Sequence, residues 1–237
     1  MKLSIVIPAF NEEATIEALL DSVCAQLAKL ASISDHEIIV IDDKSQDETL
    51  KKIEAYQSQN DKVVIHKMPH NSGKGAAIRQ GFQMSTGDIV LVQDADLEYT
   101  PEDYPRLIRP IVDEKADVVY GSRFAGGPEV RVLLFWHTVG NKLLTLMSNF
   151  FTNLNLTDME TCYKVFRGDV IRSLKLESSR FGIEPEITAK ISRIPEIRIY
   201  EVPISYYGRT YAEGKKINWK DGVAAFWHII RFNLLSK

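Results

Sequence analysis

Cysteine is scarce in this chain: Cys24 and Cys162 are the only two among 237 residues. That excludes a disulfide framework and suits a reduced, cytoplasmic compartment. Cys24 falls on a helical apolar pattern and reads as a small core residue. An uninterrupted run of the ~18 apolar residues that a membrane span needs is also missing. The richest stretches, 132–151 and 223–235, are broken by His137, Asn141 and Lys142, and by His228, Arg231 and Asn233. Lys2 is followed by a strand-like run ending at Pro8 with no cleavage site, so no secretory signal is read. A strong charge of either sign is absent too. The net charge of −3 argues against nucleic acid as a partner, although residues 197–237 carry seven Lys/Arg against three Asp/Glu. No G-x-G-x-x-G follows the first strand and no G-x-x-x-x-G-K-[ST] occurs, which sets aside a Rossmann dehydrogenase and a P-loop enzyme. Internal repeats and low-complexity linkers are likewise missing.

What is present is an ordinary globular composition, 45% hydrophobic and 26% charged, long enough for one sizeable core. Its organising stretch runs from Asp88 to Tyr99. Residues 89–92 form a short β-branched run of the kind that makes a buried strand, and Asp94, Asp96 and Glu98 follow at alternate positions. Extended geometry past the strand end would aim all three acids at one spot. A hard cation, Mg²⁺ or Mn²⁺, would relieve them and leave positions free for substrate phosphates. An acidic surface loop is the plain alternative. The location at the carboxyl end of a mid-chain strand, where open α/β sheets bind ligands, favours the metal. Thr100 and Pro101 then read as N-cap and first residue of a helix.

Along the chain, strands are expected at 3–7, 37–41, 62–66, 89–92, 117–120, 163–166 and 198–206. A helix is expected from about Asn11, with Glu12 and Glu13 in its first turn and Ile16, Leu19, Leu20, Val23, Leu27 and Leu30 on its apolar face. Ser45 and Glu48 read as a capping box for the next helix. Asn71-Ser-Gly-Lys-Gly is a weak echo of a phosphate loop and equally a turn capping a helix. The alternation predicts an α/β fold, a mostly parallel Rossmann-like sheet with helices on both faces. It gathers Asn11, Asp42, Asp43, Asn71, Gly73, Asp94, Asp96 and Arg123 on one rim. In the second half, 132–151 looks helical with His137, Asn141, Thr145 and Ser148 as a polar stripe. Helices are also expected around 186–193 and at the end of the chain. The last would show Trp219, Val223, Phe226, Trp227, Ile230 and Leu234 as its apolar face.

Four stretches in order carry a family resemblance: Ser4-Ile-Val-Ile-Pro8-Ala-Phe10-Asn11-Glu12, Ile41-Asp42-Asp43-Lys-Ser-Gln-Asp47, Asn71-Ser-Gly-Lys-Gly and Gln93-Asp94-Ala-Asp96. Together they resemble the inverting nucleotide-sugar glycosyltransferases of family 2, with the GT-A fold. Asp94-Ala-Asp96-Leu, Gly121-Ser-Arg123-Phe and the basic Arg209…Gly214-Lys215-Lys216 segment look most like the dolichol-phosphate (polyprenyl-phosphate) mannose and glucose synthases. Phe10 stands where Tyr is common, Lys44 where Gly is usual, and Glu98 where the mannose enzymes often have Gln.

The resemblance implies one domain over 1–237, with a nucleotide-sugar half to 125 and an acceptor half from 126 that ends in an amphipathic helix. Pro8, Phe10, Glu12 and Asp43 would hold base and ribose. Lys74, Asp94, Arg209 and Lys215 would hold the diphosphate, and Asp94, Asp96 and Glu98 the metal. Asp96, Asp158 and Arg123 are the expected catalytic residues, Arg123 for the acceptor phosphate. The implied donor is of the GDP-mannose or UDP-glucose type and the implied acceptor a polyprenyl phosphate. The protein would then lie peripherally on the cytoplasmic membrane face, directly or through a membrane-embedded partner. Transfer to a saccharide hydroxyl, with Asp158 as base, and a non-catalytic nucleotide-sugar-binding subunit are the other functions these residues allow.

Overall fold

The computed structural model describes residues 1–127, 131–132, 134–209 and 219–235. Its centre is β1 (Lys2–Ala9), whose side chains are buried almost without interruption. Such a run needs cover on both faces, which parallel neighbours with crossover helices supply. β2 (Asp35–Asp42) pairs with it in parallel from Lys2↔Asp35 to Ala9↔Asp42, and β3 (Val63–Lys67) continues beyond β2. β4 (Ile89–Val92) lies on the other side of β1, also parallel. The chain therefore reverses its direction of growth between β1 and β4, and that switch point is where open sheets bind ligands. β5 (Val118–Ser122), β6 (Lys164–Arg167) and β7 (Ile199–Pro203) complete a seven-stranded sheet in the order β3-β2-β1-β4-β6-β5-β7. β6 is antiparallel to both its neighbours.

Helices cover the sheet: α1 (Ile16–Leu27), α2 (Thr49–Gln57), α3 (Lys74–Met84), α4 (Tyr104–Val112), α5 (Phe135–Thr152), α6 (Gly168–Ser173), α7 (Ile183–Ile191) and α8 (Trp219–Ile230). The expected apolar face Ile16, Leu19, Leu20, Val23, Leu27 and Leu30 is buried throughout. α3 lies close on the sheet because Gly81 has no side chain; a Cβ there would come within 2.2 Å of Val6.

Two local expectations are corrected, and the orientation of two helices is settled. α1 starts at Ile16 rather than near Asn11, because Asn11 adopts a left-handed conformation (φ 53°) and its side chain accepts the Gln46 N–H. The capping box does not form: the Ser45 hydroxyl accepts the Asn11 N–H, and Asp47 accepts the N–H of Thr49 at the start of α2. In α5 the polar stripe faces inward, with Thr145 and Ser148 buried. Phe135, Val139, Leu143, Leu146 and Phe150 form the exposed face. In α8 likewise, Ala225 and Ile229 are buried, followed by Phe232 of a π turn (Arg231–Leu235). Val223, Phe226, Trp227 and Leu234 are exposed. The Thr100 cap forms as expected, accepting the Glu102 N–H before Pro101.

Candidate active site

The carboxyl ends of β1, β2, β3 and β4 bring Glu12, Asp43, Asn71, Asp94 and Asp96 to one rim. The loop after β4 is not extended. Leu97 turns it with φ 60°; Asp94 meets Lys74, while Asp96 and Glu98 meet at one arginine, Arg209. Among the described residues no three acidic, His or Cys side chains form a ready-made metal cage.

The loop is instead fixed by Gln93, which is fully buried. Its amide N–H groups donate to the carbonyls of Asp94 (2.9 Å) and Tyr99 (3.4 Å), and its oxygen accepts the hydroxyls of Tyr104 (2.8 Å) and Tyr163 (2.6 Å). Each acid of the loop meets a cation from elsewhere in the chain. Lys74, at the start of α3, lies 2.7 Å from Asp94. The Arg209 guanidinium lies 2.9 Å from Asp96 and 3.2 Å from Glu98, and its backbone N–H also donates to Glu98. Burial, with the charges of Asp94 and Glu98, pushes the Asp96 carboxyl up to about 7. Burial alone would weaken the Lys74 ammonium, yet Asp94 holds its pKa well above the usual lysine value. The cluster is therefore short of positive charge even with both cations in place.

Asp43 sets the neighbouring loop. Its two oxygens accept the N–H groups of Ser72 and Gly73, each at 2.7 Å. Gly73 has φ +92°, and the Ser179 carbonyl would sit 2.5 Å from a Cβ there. That carbonyl also takes the Ala76 N–H, so the phosphate-loop echo of 71–75 serves here as a packed helix start. Lys44 adopts φ 64°, a left-handed conformation that explains why glycine is usual at its position.

Across the rim, Arg123 and Asp158 form a single buried unit. Arg123 Nε and Nη2 donate to the two Asp158 oxygens at 2.6 and 2.7 Å, and the Arg123 backbone N–H adds a third bond at 3.1 Å. The side chains are 9% and 0% exposed. Burial disfavours the Arg123 cation, but Asp158 more than offsets this and holds its pKa above the usual value. The guanidinium lies over the Tyr206 ring, 5.1 Å from its centroid, and the Tyr206 hydroxyl donates to Glu98. One aromatic ring thus separates Arg123 from the acidic loop. Glu201 of β7 pins the Asp158 turn by accepting the N–H groups of Thr157 and Asp158.

Pro8 lies near the end of β1, and Phe10 and Glu12 follow it on the same rim, where the Glu12 N–H donates to Thr49. Lys215 lies outside the described residues. Sequence reasoning missed Lys164, Glu184 and Glu160. Lys164, 1% exposed within β6, donates to Glu184 Oε2 and to the carbonyls of Met159 and Thr161. A lysine inside the otherwise apolar run 163–166 was the available signal for a buried ionic contact.

A buried guanidinium facing an acidic loop across the switch point of such a sheet marks a site for an anionic ligand. The chain belongs to Glycosyl transferase family 2, whose sequence profile matches residues 4–174. It is 29% identical over 217 residues to the dolichol-phosphate mannosyltransferase of Pyrococcus furiosus, covering 91% of this chain but 59% of that protein. It is 28% identical to the undecaprenyl-phosphate mannosyltransferase of Micrococcus luteus, covering 99% of both. Its fold, GT-A, is that of glucosyl-3-phosphoglycerate synthase from Mycobacterium tuberculosis, solved with Mn²⁺, UDP and phosphoglyceric acid. The TM-score is 0.74 at 21% identity, over 100% of this chain and 80% of that one.

Proposed function

We propose that this glycosyltransferase moves a hexose from a nucleotide sugar to the phosphate of a polyprenyl phosphate, with inversion and with a divalent cation. The observation that carries the acceptor assignment is the Arg123–Asp158 unit. Both Asp158 oxygens are engaged by Arg123, so Asp158 positions the guanidinium rather than serving as a base. Of the five N–H donors of an arginine, Nε and one on Nη2 are used here, which leaves three for a phosphate. A phosphate monoester, with its second pKa near ~6, is already largely ionised at neutral pH and needs orientation more than proton removal. The polyprenyl-phosphate acceptors named for the two relatives support the same choice.

In the transfer, an acceptor phosphate oxygen forms a bond to the anomeric carbon as the bond from that carbon to the donor's β-phosphate oxygen breaks. The electron pair leaves with the nucleoside diphosphate. Pro8, Phe10 and Glu12 would hold base and ribose, with Asp43 setting the adjoining loop. Lys74, Arg209 and Lys215 would stabilise the diphosphate charge. The donor set fits a hard divalent ion. Asp94 and Asp96 offer oxygen ligands where three carboxylates are met by two cations, and they would hold the ion together with diphosphate oxygens. Such an ion would act as a Lewis acid on the leaving diphosphate. Glu98, held by Tyr206 and Arg209, would brace the cationic side chain in this reading.

Membrane contact is proposed through α5 and α8. Trp136 (77% exposed), Phe150 (81%) and the outward residues of both helices, which pack against each other, expose apolar side chains. Among the described residues no helix is long and apolar enough to cross a membrane. The acceptor assignment is tested with Arg123→Ala. Its KM for polyprenyl phosphate should rise at least tenfold while nucleoside diphosphate affinity stays within about twofold. Equal loss of both, or loss of neither, rejects it.

A further inference from the structure

Among the described residues, one carboxylate beside this site has a buried oxygen without a hydrogen-bond partner. Asp94 is met by Lys74, Asp96 and Glu98 by Arg209, Asp158 by Arg123 and Glu184 by Lys164. Glu160 Oε1 is buried and has no hydrogen-bond partner, and neither has the hydroxyl of Thr161, a fully buried residue. The backbone around them is fixed, because Lys164 Nζ holds the carbonyls of Met159 and Thr161 on either side of Glu160. Buried polar atoms in native proteins are nearly always satisfied, and a bound ligand is one way to satisfy them.

Position indicates which ligand. Glu160 stands two residues after Asp158, and the carbonyls on either side of it are held by Lys164, so it lies between the Lys164–Glu184 pair and the Arg123–Asp158 pair. The first pair adjoins the donor side: Glu184 sits in the first turn of α7 next to Ile183, against which Gly75 packs, and Gly75 follows the Lys74 that meets Asp94. The second is the acceptor-phosphate clamp. A hexose passing from a diphosphate at Asp94 and Asp96 to a phosphate at Arg123 has to lie between them. We infer that Glu160 is a specificity-determining residue that accepts a hydrogen bond from one hydroxyl of the donor hexose. This inference rests on the glycosyl-transfer reading above. A second cation is not called for, because Glu184 and Asp158 are already paired and only one carboxylate is left over. Burial and the Glu184 charge push the Glu160 carboxyl up to about 7, and a hydroxyl donor would offset that by favouring the ionised form.

The test measures kcat/KM of the wild type and of Glu160→Gln. The donors are one nucleotide hexose and its monodeoxy analogues, with polyprenyl phosphate as acceptor. Calorimetry of the bare nucleoside diphosphate with Mn²⁺ is the control. The wild type should lose roughly 10- to 100-fold on one deoxy position, the value of a hydrogen bond to a charged group. Glu160→Gln should lose a similar factor on the parent hexose and show almost no further loss at that position. Its discrimination at the other positions and its diphosphate affinity should be unchanged. Glu160→Ala, expected to show the same profile, keeps the test decisive if the amide variant misfolds. A variant with the wild-type deoxy profile overturns the inference alone. So does a uniform fall in kcat on every donor, the mark of a general base, or the loss of one bound Mn²⁺. Failure of the wild type to bind any nucleoside diphosphate overturns the glycosyl-transfer reading along with it.

Discussion

Removing the Asp158 carboxylate isolates the role assigned to Arg123. Asp158→Ala would leave a guanidinium that is 9% exposed without its counterion and without both side-chain bonds. Breaking a buried pair from one side costs about 3–5 kcal/mol, a large share of the ~5–15 kcal/mol that holds a domain together. At roughly 2–4 °C per kcal/mol for a chain of this size, Tm should fall by about 6–20 °C. Urea and thermal unfolding of the purified protein measure both. The double variant Asp158→Ala/Arg123→Met should recover most of the lost stability, since an apolar replacement of the whole pair is often neutral. It should not recover use of polyprenyl phosphate. Asp158→Asn keeps one acceptor oxygen but turns an N–H₂ towards the guanidinium, so the KM for acceptor should rise roughly tenfold. A loss below about 1 kcal/mol in Asp158→Ala would refute the buried-clamp reasoning. Complete loss of turnover in Asp158→Asn, with stability and acceptor affinity intact, would restore Asp158 as a base.

Gln93→Leu should cost about 2–4 kcal/mol by urea unfolding, because the hydroxyls of Tyr104 and Tyr163 lose a shared buried acceptor; stability like the wild type's would contradict the pillar role. The Glu160 carboxyl, with a folded value of about 7 against 4.5 for the free group, binds its proton more tightly folded than unfolded. Its contribution to stability is therefore full below about 4.5 and is lost as pH rises through about 7, up to about 3 kcal/mol in all. The difference between Tm at pH 5 and at pH 8 should accordingly shrink in Glu160→Gln, and an unchanged difference would count against this. Replacing Leu143, Leu146 and Phe150 together by Glu should leave Tm nearly unchanged, since all three are exposed, yet abolish sedimentation with anionic vesicles. Retained sedimentation would move the contact elsewhere.

The first half of the sheet was legible because its signals are local. The apolar runs of β1, β2 and β4 and the face of α1 are periodic patterns, and polar residues mark the strand ends. The insertion of β6 between β4 and β5 was not legible, since a strand's own residues do not name its neighbours. Which faces of α5 and α8 are buried was not legible. Periodicity finds an apolar stripe without naming what covers it, and α5 buries Thr145, whose hydroxyl accepts the Met159 N–H, and leaves its apolar stripe outside. The acidic loop was located correctly, but its turn at Leu97 was hidden, because a left-handed leucine has no compositional signature. Arg209 meeting Asp96, and Lys164 meeting Glu184, join positions far apart or on different elements, which spacing alone cannot pair.

The transfer assay tests the central claim most directly. A panel of labelled nucleotide sugars is incubated with the protein and Mn²⁺ or Mg²⁺, with and without polyprenyl phosphate, and the label extracted into organic solvent is counted. The account predicts extractable label that requires polyprenyl phosphate, disappears in excess chelator and is nearly absent with Asp96→Ala. Label appearing instead on a water-soluble saccharide, or organic label unaffected by chelator and by Asp96→Ala, would contradict it.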